Sequence, residues 1–424
     1  MQNRFQAALT RAWALGLLRL FYPVRTVSNA GRIPCAGPVI VVSNHPNGLL
    51  DPLVVRLGLG RPVAFLSKST FWDNAFFRAC VEAFGALPVF RAHEADTRQN
   101  ELTFARCHEL LAGGGWLALF PEGKSHDATT LQPIKTGAAR IALGAGVAVT
   151  VLPVGLLYAD KEVFRSAVAV VIGVPFVVQP GDPLDRAAVA GVTEAINGGL
   201  AEVVLQAEDA EVWRAFLAVA HWTGAQGLAE REQRARALAA RWATLLAEEP
   251  EAAELLAERV RRYARSLRAV GIDDPFTVET ARPGRELSGL LPLFALAPFA
   301  LVGAVLAWLP YRLVRPVSER FAAGHADVVG TAKLLLGFGV LSLTYVGWAA
   351  AAAWVFVPAI PAALLALVVG PATGLAALRF DERLTLRREA FRGIAVRLFR
   401  PKLALALAER RKDLSDVVLA TLES

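Results

Sequence analysis

The run Val39-Ile40-Val41-Val42-Ser43-Asn44-His45-Pro46-Asn47-Gly48-Leu49-Leu50-Asp51-Pro52 decides the fold. Four consecutive β-branched residues read as a buried strand. Asn44, Pro46, Asn47 and Gly48 interrupt it, and a helical pattern opens near Leu49. His45 therefore stands at the carboxyl end of a buried strand, where open α/β sheets hold their ligands. Asp51, six residues on and one turn later, can fold back on the imidazole, leaving the second ring nitrogen as a general base. Taken alone, such a pair is more often a turn histidine beside a helix-capping asparagine.

A second stretch changes the weighing. In Trp116-Leu117-Ala118-Leu119-Phe120-Pro121-Glu122-Gly123-Lys124-Ser125-His126-Asp127 another apolar strand empties into a turn, this one carrying an acid and a lysine. Together the two stretches resemble the glycerolipid acyltransferase family, which acylates glycerol 3-phosphate or its 1-acyl derivative. Members carry a His-x4-Asp motif followed by Phe-Pro-Glu-Gly at about this distance. Here five residues separate His45 from Asp51. With Phe-Pro-Glu-Gly-x-Ser-His-Asp downstream, the form looks more like the fungal-type glycerol 3-phosphate and dihydroxyacetone phosphate acyltransferases. The resemblance covers roughly residues 20 to 180.

The resemblance implies His45 as the base and Asp51 as the acid that sets its tautomer and orientation. Gly85-Ala86-Leu87-Pro88-Val89-Phe90-Arg91 matches a third motif, whose arginine helps bind the acceptor's phosphate; on its own Arg91 is a surface arginine at a strand end. Glu122 and Gly123 fall on the acceptor side, with Glu122 also a candidate for holding its loop in shape. Where the family usually has Thr-Arg, this chain has Lys124-Ser125, so Lys124 is the candidate replacement charge, without the bidentate fork of an arginine. Lys135, ahead of the next helix, is a second basic candidate. Val151-Leu152-Pro153-Val154-Gly155-Leu156 resembles the fourth motif, which places Val151 and Pro153 on the acyl side; as bare pattern it is a core strand. Backbone N–H groups at Gly48 and Gly123 are the oxyanion candidates. The donor implied is acyl-CoA or acyl carrier protein.

Ser125-His126-Asp127 mimics a catalytic triad, but consecutive side chains cannot converge as a nucleophile, base and acid must; His126 and Asp127 read as loop supports. His93 and His108 read as structural. No Gly-x-Gly-x-x-Gly, P-loop or Cys-x-x-Cys occurs, so neither a cofactor nor a metal is expected. A Ser hydrolase lacks its Gly-x-Ser-x-Gly elbow.

Strands are expected at 39–42, 62–66, 86–90, 116–120, 147–154 and 167–171, with helices at 49–58, 69–84, 96–111 and 136–143. That alternation gives an α/β domain with a largely parallel mixed sheet flanked by helices over 24–183. Ahead of it, residues 1–23 form an amphipathic helix, either interfacial or packed on that domain. Residues 184–280 read as a helical region, 281–380 as a membrane region and 381–424 as a basic amphipathic tail.

Hydrophobic residues make up 54% of the 424, and mean hydropathy is +0.42, values that point to membrane segments. The net charge of +7 could suit nucleic acid, but its location argues otherwise. Between Arg379 and Lys412 stand eleven basic against four acidic residues, beside the apolar segments, where anionic headgroups attract them. No nucleic-acid partner is expected; a phospholipid membrane is. The stretch 334–357 is uncharged, while 287–310 is interrupted by Pro292 and Pro298. The positive-inside rule favours a hairpin over 334–378 and a proline-broken segment before it, with the catalytic domain on the cytosolic side of the cell membrane. Three cysteines without metal spacing suit reduced thiols.

The expected function is membrane-bound acyl transfer to glycerol 3-phosphate. Its alternatives are the 1-acyl acceptor and, in another class, a non-catalytic membrane lipid-binding protein.

Overall fold

Four β-branched residues in a row leave no polar face, so such a strand needs neighbours on both edges and cover on both faces. In the computed structural model, which describes the backbone of residues 4–89, 98–322 and 326–423, that is where the run lies. The strands, in chain order, are β1 (Val24–Ser28), β2 (Val39–Ser43), β3 (Ala64–Lys68), β4 (Leu87–Val89), β5 (Trp116–Leu119), β6 (Val149–Tyr158), β7 (Ala167–Ile172) and β8 (Phe176–Val178). They form one sheet ordered β1-β7-β6-β2-β5-β3-β4, with β8 paired to β6. From β6 through β4 every neighbouring pair is parallel, while β7 and β8 run antiparallel to β6. The fold is thus α/β with a largely parallel mixed sheet, and Val39 to Val42 are fully enclosed at its centre.

Helices α1 (Arg4–Phe21), α2 (Leu50–Leu59), α3 (Ala75–Ala83), α4 (Arg98–Ala112), α5 (Gly137–Leu143) and α6 (Arg186–Ala201) flank this sheet. The expected helix at 69–84 is divided: a single 3-10 segment covers Ser69–Asp73, and Asn74 caps α3 by accepting from the Phe77 N–H at 3.2 Å. α1 packs Ala14 against Ala83 and Phe84 of the α3 end, yet leaves Phe5 and Leu9 exposed. β1 and β8 are additions to the expected strands. β1 carries Arg25, Thr26 and Ser28 on the sheet edge, so it has no apolar run to betray it, and β8 is three residues long.

Contacts divide the chain into two compact units, Met1–Trp213 with Gln226–Arg236 and His325–Thr331, and Arg214–Ala225 with Ala237–Gly324 and Ala332–Ser424. The first unit extends past residue 183 because Val189, Ile196 and Leu200 of α6 bury against Val149 and Val151 of β6. The three cysteines are free thiols, and burial pushes that of Cys107 up to about 12.

The remaining helices are α7 (Ala210–Trp222), α8 (Gly227–Glu248), α9 (Pro250–Val270), α10 (Phe276–Thr280), α11 (Pro283–Ser288), α12 (Leu291–Leu306), α13 (Trp308–Phe321), α14 (Ala326–Val355), α15 (Ala359–Phe399) and α16 (Pro401–Glu423). Among the described residues, three stretches are long and apolar enough to cross a membrane: Pro283–Leu306, Val329–Val355 and Ala359–Phe399. Pro292 sits in the first turn of α12, where a missing N–H is harmless, and Pro298 is carried inside the helix instead of ending it. Small residues let these helices meet closely. A Cβ on Gly303 of α12 would strike the Thr373 carbonyl of α15, and the Tyr345 ring of α14 lies on Gly370 of α15.

Part of the basic tail is paired within its own unit. Arg387 meets Glu286, and Arg411 spans both oxygens of Glu279 at 2.8 and 2.9 Å.

Candidate active site

The sheet register assembles the site. β2 pairs with β5 so that Val42 lies beside Leu119. His45 and Glu122 each come three residues later, and the two chains leave the sheet side by side. On the other edge Ser43 pairs with Val154 of β6. Asn44 then continues the ladder with its side chain, donating from Nδ2 to the Leu156 carbonyl at 3.1 Å and accepting the Leu156 N–H at 2.7 Å. This fixes where the chain turns away and leaves His45 just beyond the sheet edge.

His45 Nδ1 lies 2.8 Å from Asp51 Oδ2, and its ring stacks on Phe120 with centroids 4.1 Å apart. Asp51, in the first turn of α2, is completely enclosed. A buried carboxylate needs donors to replace water. Oδ2 also accepts the Asn47 N–H at 2.7 Å, and Oδ1 accepts the Tyr158 hydroxyl at 2.6 Å. Helix position adds a favourable dipole. Asp51 thus holds the imidazole through Nδ1, which leaves Nε2 as the ring nitrogen outside the pair. Burial, then the Asp51 charge, raises the Tyr158 hydroxyl's pKa well above its ordinary value, so it remains a donor.

A layer of tyrosines and a lysine stands behind this pair. Tyr22 Oη donates to the Lys161 carbonyl at 2.7 Å and accepts from Asn47 Nδ2 at 2.8 Å. Lys161 Nζ donates to the Pro46 carbonyl at 2.7 Å and pairs with Asp127. It thereby ties the His45 turn to the Glu122 loop. None of Tyr22, Tyr158 or Lys161 stands out in the sequence, because each lies far along the chain from the residue it supports.

Glu122 is buried, and both carboxylate oxygens are engaged by the protein. Oε1 accepts the His45 N–H at 3.0 Å; Oε2 accepts the Gln132 N–H at 2.9 Å and bonds His126 Nε2. His126 Nδ1 accepts the Ala128 N–H at 3.1 Å, so its proton sits on Nε2, towards Glu122. The His126 N–H returns to the His45 carbonyl at 3.1 Å. In this geometry Glu122 locks two loops together, the loop-holding role expected of it.

Of the two oxyanion candidates, Gly123 drops out: its N–H is spent on the Phe120 carbonyl at 2.9 Å. The Gly48 N–H has no hydrogen-bond partner among the described residues. Gly123, at φ +76°, has the Lys135 ammonium where a Cβ would sit, so Lys135 is brought to this loop, and Lys124 is exposed beside it. Arg91 and His93 lie outside the described residues. Val151 and Pro153 do not reach the dyad. They are an odd number of residues from Tyr158, hence on the opposite sheet face, where Val151 packs under α6 and Pro153 fits against Gly199.

A strand-end histidine paired with an enclosed carboxylate, with loops locked around it, is the arrangement that general-base chemistry requires. Residues 24–157 match the family model described as Acyltransferase, so this segment is an acyltransferase-family domain. Among curated relatives, glycerol-3-phosphate O-acyltransferase 2 of Saccharomyces cerevisiae is 42% identical over 89 residues, covering 20% of this chain and 12% of that protein. The chloroplastic 1-acyl-sn-glycerol-3-phosphate acyltransferase of Arabidopsis thaliana is 29% identical over 161 residues, covering 38% of this chain and 43% of its own. The crystal structure of the 1-acyl-sn-glycerophosphate acyltransferase of Thermotoga maritima aligns at a TM-score of 0.32 and 21% identity, over 47% of this chain and 83% of that one. The chain spans less than half the length of the curated relatives it matches.

Proposed function

We propose that the protein is a membrane-bound O-acyltransferase that moves a fatty acyl group from acyl-CoA or acyl carrier protein to a hydroxyl of glycerol 3-phosphate. The observation that carries this reading is the His45–Asp51 pair, 2.8 Å apart with the carboxylate enclosed and triply donated. His45 Nε2 takes the proton of the acceptor hydroxyl as its oxygen attacks the thioester carbonyl. Asp51 stabilises the imidazolium so formed, and the proton then passes to the departing thiolate. Base catalysis of this kind is worth roughly 10²–10⁴-fold. The Gly48 N–H is the remaining backbone candidate for the tetrahedral oxyanion. Lys124 and Lys135, on the Glu122–Gly123 loop, and Arg91 would attract the acceptor's phosphate. No cofactor is assigned.

The three long apolar helices support a membrane location. The basic residues beside them support a cytosolic catalytic unit. Acylation of the 1-acyl derivative is the second reading. It is favoured by the chloroplastic relative's name and by the apolar residues that α1 exposes. The deciding experiment offers purified protein each acceptor with acyl-CoA and with acyl carrier protein. Transfer to glycerol 3-phosphate is expected; transfer to the 1-acyl derivative alone would establish the second reading, and no transfer to either would overturn both.

A further inference from the structure

The edge of the sheet opposite His45 holds a cavity of about 720 Å³ in the α/β unit. Its floor is the amino ends of β3 and β5, at Ala64 and Trp116, whereas His45 follows the carboxyl end of the parallel strand β2. Arg11 of α1, Arg56 of α2 and Arg61 after it line the wall, together with Phe84 and Trp116.

The three guanidinium groups are held in place without being neutralised. Each donates to a carbonyl: Arg11 to Ala83 at 2.8 Å, Arg56 to Val63 at 3.3 Å and Arg61 to Cys35 at 3.3 Å. Arg56 also lies over the Phe84 ring at 5.3 Å and Arg61 over Trp116 at 4.5 Å. Among the described residues, no carboxylate comes within ion-pair distance of any of the three; Glu82 lines the cavity but forms no ion pair with them. Burial and the nearby Arg11 charge lower the Arg56 pKa from its ordinary value, which registers the same crowding of like charge.

We propose that this cavity is a binding site for a phosphate-bearing ligand, separate from the acyl-transfer site. A guanidinium fork set by a ring face and a carbonyl bond is prepared for bidentate contact with phosphate oxygens, and an entering anion relieves the repulsion between the arginines. The volume exceeds that of a phosphate group, and Leu59, Val63 and Leu110 supply an apolar lining for what is attached to it. A phospholipid headgroup and a free phosphate share this chemistry. α1 contributes Arg11 while exposing Phe5 and Leu9, which suits a lipid.

The test is protection of the arginines from phenylglyoxal, read residue by residue by peptide mass spectrometry on the full chain in neutral detergent. The probes are inorganic phosphate, dihexanoyl phosphatidic acid and, as control at equal ionic strength, dihexanoyl phosphatidylcholine. Modification of Arg56 and Arg61 is expected to slow about tenfold when a binding probe stands at about ten times its Kd. Protection by both phosphate and phosphatidic acid assigns the site to the phosphate group itself; protection by phosphatidic acid alone assigns it to the lipid. Arg61→Gln should weaken the protection of Arg56 by about tenfold in probe concentration. Equal modification rates in all three probes would overturn the site. Because the readout needs no turnover, it stands or falls independently of the acyl-transfer reading.

Discussion

An enclosed carboxylate such as Asp51 persists because three donors, His45 Nδ1, the Asn47 N–H and the Tyr158 hydroxyl, meet its two oxygens. Each donor then has a separable consequence. His45→Ala removes the base, and turnover should fall by roughly 10²–10⁴-fold while the protein still folds. Asp51→Asn should lose nearly as much, since an amide cannot stabilise the imidazolium; circular dichroism alongside the assay separates lost chemistry from lost structure. Tyr158→Phe leaves Oδ1 without its donor, and we expect a stability loss of about 1–3 kcal/mol in denaturant titration. The pair itself was legible in the sequence because its spacing is local. Tyr158 was not, since it lies 107 residues from Asp51 and only the fold brings them together. A second titrating group, His108, has its pKa lowered below its ordinary 6.5 by burial, and its Nε2 is buried without a partner. As pH falls below 6.5 the unfolded chain takes up this proton before the folded one does. Stability present above that value is therefore lost as pH drops towards the folded pKa. Thermal melts on either side of that pH should show the loss in the native protein and a smaller one in His108→Gln.

Strand pairing, at the scale of elements, converts two local motifs into one site. Val42 beside Leu119 sets His45 against Glu122, and Ser43 beside Val154 sets Asn44 against Leu156. The apolar runs of β2 and β5 were readable as strands, but not their adjacency, because alternation of strands and helices leaves strand order open. β6 continues to Tyr158, past the residue 154 where the apolar pattern pauses at Gly155. That glycine has a packing reason: a Cβ there would run into the Val203 carbonyl beyond α6. Gly155→Ala should therefore cost about 1–3 kcal/mol, since backbone cannot move aside as a side chain can. Gly198 within α6 meets nothing within 4 Å, and Gly198→Ala should instead be neutral or stabilising by up to about 1 kcal/mol. Equal effects of the two substitutions on the denaturation midpoint would show that β6 is not seated as described.

Across the whole molecule, composition pointed to membrane segments, and three helical stretches among the described residues are long and apolar enough to cross a membrane. The division near residue 380 is one of polarity and not of secondary structure: α15 runs unbroken from Ala359 to Phe399, from apolar residues into the basic stretch that begins at Arg379. Helix propagation does not register a change of polarity, so a boundary drawn on hydropathy near residue 380 falls inside one element. The apolar stretch Val329–Val355 offers the sharpest test of membrane residence. Leu343 is near its middle and exposed on the protein surface. In water such a side chain could become arginine at little cost. At the centre of a bilayer the same change disfavours insertion by about 2.5–3.5 kcal/mol. Leu343→Arg should therefore reduce the fraction of protein that resists alkaline extraction from membranes. Leu246→Arg, on α8 and outside the apolar stretches, should leave that fraction unchanged. If the two variants extract alike, α14 does not lie in the lipid, and membrane attachment would have to rest on the remaining apolar helices.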